Sequence, residues 1–262
     1  MQTRPVPGGR DPKPAPLQRA RPQATATGMI ASTFTETRTW VFDLDNTLYP
    51  ATADLFPQIE ARIGAFIQNA LGLDAQRAAD LRHRYWLTHG TTLAGLTQNH
   101  GIAPEAFLHE VHDIDLSDIG PDPALTAGLA ALPGRRVVFT NGSRAHAHRV
   151  TRARGIADLF DAVYGIEDAG FVPKPQAPAF DAVFTAEGLE PRTAAMFEDE
   201  PRNLVEPHRR GLRTVHVAPS PAPAPHIDHG TDDLAGFLSH LGEPPSRTRA
   251  TAIHLAHDKD RS

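Results

Sequence analysis

Short apolar runs that break off at polar or acidic residues, with helix-patterned segments between them, constrain this chain more than any other feature. The runs occupy residues 39–44 (TWVFDL), 136–140 (RVVFT), 162–164, 194–197 and 214–217. Between them, residues 122–132, 143–154, 179–186 and 202–210 read as helices, the second ending at Gly155. Strands separated by helices predict an α/β fold: a Rossmann-like, mostly parallel sheet with helices on both faces. The block after the first run breaks the alternation. Residues 51–114 offer no comparable strand; Leu55, Ile59, Ile63, Phe66 and Ile67 recur at helical spacing, and residues 77–88 and 104–111 continue it. An inserted helical cap over the sheet is expected there.

The ends of the chain read differently. Of its 24 prolines, six fall within residues 1–36 and six within 219–262. The opening stretch has almost no large apolar side chains, so it cannot bury enough surface to offset the entropy of ordering. Its basic residues (Arg4, Arg10, Lys13, Arg19, Arg21) raise the idea of a targeting segment. It has no apolar core of the roughly 7–15 residues that a secretory signal needs. Its prolines also oppose an amphipathic transit peptide; translation from Met29 is the simpler account. The expected organisation is a disordered extension over 1–36, a core domain over 37–50 and 119–218, and a helical cap over 51–118. A mostly disordered tail over 219–262 follows, with a short helix at 231–241.

The chain carries 26 basic and 31 acidic residues, a net charge of −5. That balance argues against binding a nucleic-acid polymer, which rests on a clustered basic surface. The absence of cysteine excludes disulfides, zinc–thiolate sites and iron–sulfur clusters. No apolar run approaches the ~20 residues that span a bilayer, so no membrane partner is expected and the location is taken as cytoplasmic.

In a parallel α/β sheet, ligands bind beyond the carboxyl ends of the strands. The polar residues at those ends are Asp43 and Asp45, then Thr140-Asn141-Gly142, then Glu198-Asp199; Lys174 lies in the loop FVPKPQ. Each group alone has an ordinary explanation: a strand terminator, an Asn-Gly turn, a solvated lysine, a helix cap before Pro201. A calcium loop would place Asp43, Asp45, Thr47 and Asp54 at ligand positions, but Leu48 stands where that loop needs glycine. There is no GxxxxGK[ST] loop and no GxGxxG after a strand.

Taken in order, these residues resemble the motifs of the haloacid dehalogenase (HAD) superfamily. Asp43-Leu44-Asp45-Asn46-Thr47 is similar to its DxDxT signature, Thr140-Asn141-Gly142 to its second motif, Lys174-Pro175 to its third and Glu198-Asp199 to its acidic fourth. The stretches DLDNTLY and FEDEPRN, and the position of the helical insertion, most resemble the pyrimidine 5′-nucleotidase branch.

The resemblance implies a Mg²⁺-dependent phosphatase that hydrolyses small phosphate monoesters, with pyrimidine nucleoside 5′-monophosphates as the expected substrates. Asp43 would be the nucleophile and Asp45 the acid and base. The Asp43 carboxylate, the Asp45 backbone carbonyl, Asp199 and Glu198 would hold the Mg²⁺. Thr140 and Asn141 would bind phosphoryl oxygens, Lys174 would bind phosphate and neutralise charge, and Asn203 would orient Lys174 or an acidic ligand.

A dehalogenase of the superfamily lacks an acid at the second motif position, so Asp45 favours phosphoryl transfer. A phosphatase or phosphomutase acting on a sugar phosphate or other small metabolite stays open. So does a non-enzymatic module, receiver-like or inactive. A receiver, however, keeps its acceptor aspartate alone on a later strand and has no cap. The 14 histidines are scattered. His146 and His148 stand two apart and point apart on a helix. His109 and His112 have a metal-sharing spacing without a third ligand, and these histidines are read as solvated helix faces. Trp40 is expected in the core, Tyr85 and Trp86 in cap packing, and Tyr49 and Phe56 near the specificity pocket. Oligomeric state is not legible.

Overall fold

Residues Thr39–Phe42 form strand β1, whose side chains alternate between two apolar layers. Trp40 and Phe42 pack with Val138, Val150, Phe197 and Phe237 on one side. Val41 packs with Val137, Phe139, Phe180, Met196 and Leu204 on the other. A strand buried on both faces is what a parallel sheet covered by helices requires. The computed structural model describes residues 26–241.

The remaining strands are β2 (Arg135–Phe139), β3 (Ala162–Tyr164), β4 (Ala194–Glu198), β5 (Arg213–Val217) and β6 (His229–Thr231). They make one six-stranded sheet in the order β3-β2-β1-β4-β5-β6. Every neighbouring pair is parallel. From β1 the chain winds outward through β2 and β3, then returns to β4 on the other side. The order therefore reverses between β1 and β4, the place where an open α/β sheet leaves a crevice for a ligand. Phe42 is level with Val138 on one side and Phe197 on the other, so β1, β2 and β4 end together.

Between β1 and β2 lie α2 (Leu55–Leu71), α3 (Ala75–His89), α4 (Thr92–His100) and α5 (Pro104–Val111), then α6 (Pro123–Ala131). Asp74 and Thr91 cap α3 and α4 by accepting from the Arg77 and Ala94 amides, at 2.8 and 3.1 Å. The first four of these helices bury their own apolar cluster, including Ile67, Leu81, Tyr85, Leu96, Phe107 and Val111. Helix α7 (Arg144–Ala153) follows β2. Two arginines, one in this helix and one just after it, hold both chain crossings between the helical block and the sheet. Arg149 donates to the His112 and Ile114 carbonyls, both at 2.7 Å. Arg154, just past α7, donates to the Leu48 carbonyl at 3.2 Å and the Gly120 carbonyl at 2.8 Å. Helix α8 (Ala177–Glu187) and the short α9 (Val205–Arg210) flank β4.

The expected disorder of both ends needs correcting within the described residues. Ala26–Thr33 form helix α1, and Phe34 is a core residue, its ring 6.0 Å from Trp40 and 5.9 Å from Phe237. After the proline-rich 219–225 stretch, β6 pairs with β5, and the helix expected at 231–241 is α10, Leu234–Leu241. Leu234, Phe237 and Leu238 bury themselves in the same layer as Phe34. The physical reason is shared: the β1 layer of the sheet has apolar rings that neither the central strands nor α6 and α7 cover. The rest of the expected extension and tail, 1–25 and 242–262, lies outside the described residues. Among the described residues no helix is long and apolar enough to cross a membrane.

Candidate active site

The loop leaving β1 turns sharply. Asn46 takes a left-handed conformation (φ 57°), which asparagine tolerates better than most residues. The Thr47 and Leu48 amides both donate back to the Leu44 carbonyl, at 3.3 and 2.9 Å. This turn lets Asp43 and Asp45, two residues apart, line one cavity.

Lys174 is the centre of the site. It is 1 % exposed, and its ammonium donates to Asp43 Oδ1 at 2.7 Å, Glu198 Oε2 at 2.6 Å and the Phe139 carbonyl at 2.9 Å. Burial disfavours the charged amine, but Asp43 and Glu198 outweigh it and raise its pKa above the ordinary lysine range. All three N–H protons have partners, so Lys174 meets a phosphate as a charge and not as an open donor. The Asn141 side chain fixes the backbone below it. Its Oδ1 accepts from the Lys174 amide at 2.8 Å, and its Nδ2 donates to the Lys174 carbonyl at 3.0 Å. That leaves the Asn141 backbone as the part of this residue free for a ligand. Thr140 Oγ1 accepts from the Gly142 amide at 2.9 Å, which leaves its own proton to donate. Asn203 donates to Glu198 Oε1 at 3.2 Å, so it orients the acid and does not touch the lysine.

Oxygen atoms of Asp43, Glu198 and Asp199 lie within 4.8 Å of one another. Three carboxylates face one ammonium, and the excess of negative charge appears in their titration. Burial, then the Glu198 charge, pushes Asp43 up to about 8 despite Lys174. Burial, then Asp43 and Glu198, pushes Asp199 up to about 9. Among the described residues the bond that favours the Asp199 charge is from Asn46 Nδ2, at 3.2 Å. An all-oxygen, electron-rich donor set of this kind fits a hard divalent cation such as Mg²⁺.

Asp45 is held apart from that trio. Its Oδ1 accepts from the Tyr49 hydroxyl at 2.7 Å and lies 3.0 Å from His146 Nε2. Burial would raise its pKa, but His146 and Tyr49 together hold it below the usual carboxylate range. The expectation that the histidines are solvated helix faces fails at two of them. His146 is 1 % exposed and His112 is 8 % exposed, and their rings stack 4.4 Å apart with a 9° tilt. Burial and the neighbouring His146 lower His112 to about 3, so it is neutral. Along α7, His146 and His148 do point apart, but the partner of His146 comes from the end of α5. Tyr49 likewise belongs to the site floor and not to a pocket rim, being 2 % exposed. Its signal was its place four residues after Asp45 in a turn.

These groups form one end of a cavity of about 430 Å³, ample for a small metabolite. Phe56, Ile63, Arg82, Trp86 and Phe107 from the helical block line the other end. Arg202, close after Asp199, crosses that seam: its guanidinium lies 3.9 Å over the Trp86 ring and donates to the Gly90 carbonyl at 3.2 Å. Glu60 and Arg82 pair within the same wall. Trp40 and Tyr85 are buried as expected.

A family model described as haloacid dehalogenase-like hydrolase matches residues 37–205. Over 179 residues the chain is 28% identical to Phosphate metabolism protein 8 of Saccharomyces cerevisiae. The match covers 62% of this chain and 56% of that protein, so the chain spans little more than half of that relative's length. Among solved structures it is similar to YfnB from Bacillus subtilis bound to magnesium, with a TM-score of 0.52, 17% identity, and coverage of 78% of this chain and 98% of that one. It is also similar to a 2-haloacid dehalogenase from Pseudomonas syringae pv. Tomato, with a TM-score of 0.51, 21% identity and the same two coverages, 78% and 98%. Likeness at this identity shows a shared fold. The family model spans strands β1 to β4, the helical block and every motif residue named above up to Asn203, and on that ground the chain belongs to the haloacid dehalogenase-like hydrolases.

Proposed function

We propose that this chain is a phosphatase that hydrolyses small phosphate monoesters by way of an aspartyl-phosphate on Asp43. Asp45 carries the reading: a second carboxyl group lines the cavity beside Asp43, held by Tyr49 and His146. Phosphoryl transfer from an ester whose leaving group is an alcohol needs such a proton carrier, and halide displacement does not.

In the first step an Asp43 oxygen forms a bond to phosphorus as the ester P–O bond breaks, and the leaving alkoxide takes a proton from Asp45. Tyr49 and His146 favour the Asp45 carboxylate in the resting site. The charge of an arriving phosphate dianion works the other way and favours the protonated form. In the second step a water attacks the aspartyl phosphorus and gives its proton to Asp45, releasing phosphate and restoring Asp43. Lys174 neutralises Asp43 and Glu198 throughout, while the Thr140 hydroxyl and the Asn141 amide hold phosphoryl oxygens. Mg²⁺, held by Asp43, Glu198, Asp199 and the Asp45 carbonyl, would supply the positive charge that lets an anionic nucleophile meet an anionic ester.

Pyrimidine nucleoside 5′-monophosphates are the first substrates to test. Their polar leaving groups suit a wall that carries Glu60, Arg82 and His83 beside apolar Phe56 and Ile63. The cap assigned to 51–118 would close over that leaving group. The test is phosphate release from para-nitrophenyl phosphate, UMP, CMP and a panel of sugar phosphates, with Mg²⁺ and with EDTA. Turnover should require Mg²⁺ and vanish in Asp43→Asn; turnover that persists in Asp43→Asn refutes the assigned nucleophile.

A further inference from the structure

We infer that Tyr49 and His146 are positioning residues that hold the Asp45 carboxyl so that one oxygen, Oδ2, carries the transferred proton, and that His112 fixes His146 for this purpose. The inference rests on the phosphatase reading above and assigns work to residues that reading leaves without a role. Both contacts end on the same atom: Tyr49 and His146 reach Oδ1, at 2.7 and 3.0 Å. Among the described residues no side-chain donor reaches Oδ2. A carboxyl anchored through one oxygen keeps its other oxygen at a set place, which is what a proton carrier aimed at a leaving group needs.

Among the described residues the His146 ring has no other polar partner to justify its burial. Its Nδ1 is buried without a hydrogen bond, so Asp45 is the sole side-chain polar contact of a ring that is 1 % exposed. The ring is locked from the opposite side. His112 stacks on it at 4.4 Å, and Ser143 Oγ ties the pair together, lying 3.1 Å from His112 Nδ1 and accepting from the His146 amide at 3.2 Å. Arg149 holds the His112 carbonyl at 2.7 Å. A chain of contacts thus runs from the end of α5 in the helical block to the proton carrier of the core.

The test compares two esters, para-nitrophenyl phosphate, whose leaving group departs without a proton, and phenyl phosphate, whose more basic leaving group needs one. The quantity read is kcat/KM, which reports events up to leaving-group departure and not the later hydrolysis of the aspartyl-phosphate. Tyr49→Phe and His146→Ala should lower kcat/KM for phenyl phosphate by roughly 10²-fold, and for para-nitrophenyl phosphate at least about tenfold less. His146→Gln keeps an N–H donor and should recover much of the phenyl phosphate loss. Tyr49→Phe keeps the buried ring, and its melting temperature checks that the fold is intact. Equal losses on the two esters, or no loss in either variant, would overturn the inference. A wild-type protein inert toward both esters would overturn the phosphatase reading itself, and this inference with it.

Discussion

Replacing Asp199 with asparagine should stabilise the metal-free protein while removing its use for a metal. Asp199 shares its space with Asp43 and Glu198, and its folded-state pKa stands at about 9 against an ordinary 3.8. At pH 7 the folded protein therefore keeps a proton there that the unfolded chain has released. One pKa unit corresponds to about 1.4 kcal/mol, so holding that proton at pH 7 costs up to about 4 kcal/mol. Asp43 is pushed up as well, by burial and then by the Glu198 charge, and the same excess of negative charge is shared between the two acids. About half of the limit, on the order of 2 kcal/mol, is the gain expected from Asp199→Asn. Asparagine still offers an oxygen to Asn46 Nδ2.

The sign follows from the raised pKa. Below pH 4 both states are protonated and the substitution changes little. As pH rises toward 9 the wild type loses stability step by step, because only its unfolded form gives up the proton freely. The assay is thermal unfolding in EDTA at several pH values. At pH 7 the variant should melt about 4–8 °C higher than wild type, and the gap should widen from pH 5 to pH 8.5. Added Mg²⁺ should raise the wild-type melting temperature more than that of the variant. A variant that melts lower than wild type in EDTA, or a gap that narrows with rising pH, would refute the electrostatic account of the site.

Three further outcomes follow from the same geometry. Lys174→Met leaves Asp43 and Glu198 buried without their cation and should cost about 3–5 kcal/mol in chemical denaturation at pH 8; a smaller loss at pH 5, where Asp43 holds a proton, checks the cause. Asn141→Ala removes both bonds to the Lys174 backbone, and kcat for para-nitrophenyl phosphate should fall about 10- to 100-fold at a stability cost of about 1–3 kcal/mol. Phe34→Ala opens a hole between Trp40 and Phe237 and should cost about 3–5 kcal/mol; a loss under about 1 kcal/mol would mean that the α1 segment is not part of the core.

The centre of the fold was legible because its signals are local. A parallel strand buried on both faces must be continuously apolar, and its end must be polar. TWVF and AAMFE announce β1 and β4 and, with them, Asp43 and Glu198. What the sequence concealed lies at the margins. The β6 stretch, His229-Gly230-Thr231, has no apolar alternation, and it is a strand because β5 offers it an edge. Helix α4 is broken in pattern by Gly95 and ends in Gln98, Asn99 and His100, so packing and its Thr91 cap decide it. The His112–His146 stack joins residues 34 positions apart in different elements. Nothing in the periodicity of either helix could pair them. Asn141 was legible as a phosphate-loop residue but not as the clamp on Lys174, because that contact spans two loops.

The anchors from Arg149 and Arg154 have one property in common: the four acceptors at the crossings, on residues 48, 112, 114 and 120, are all peptide oxygens. Any amino acid supplies such an oxygen. The junctions therefore impose a path on the chain and dictate side chains at Tyr49, His112 and Asp122, which meet Asp45, His146 and Arg154; the segment between Tyr49 and His112 is interchangeable in principle. A foreign helical cassette spliced in at these seams would inherit ready-made moorings, so new substrate preferences can be acquired by exchange while the chemical machinery stays put.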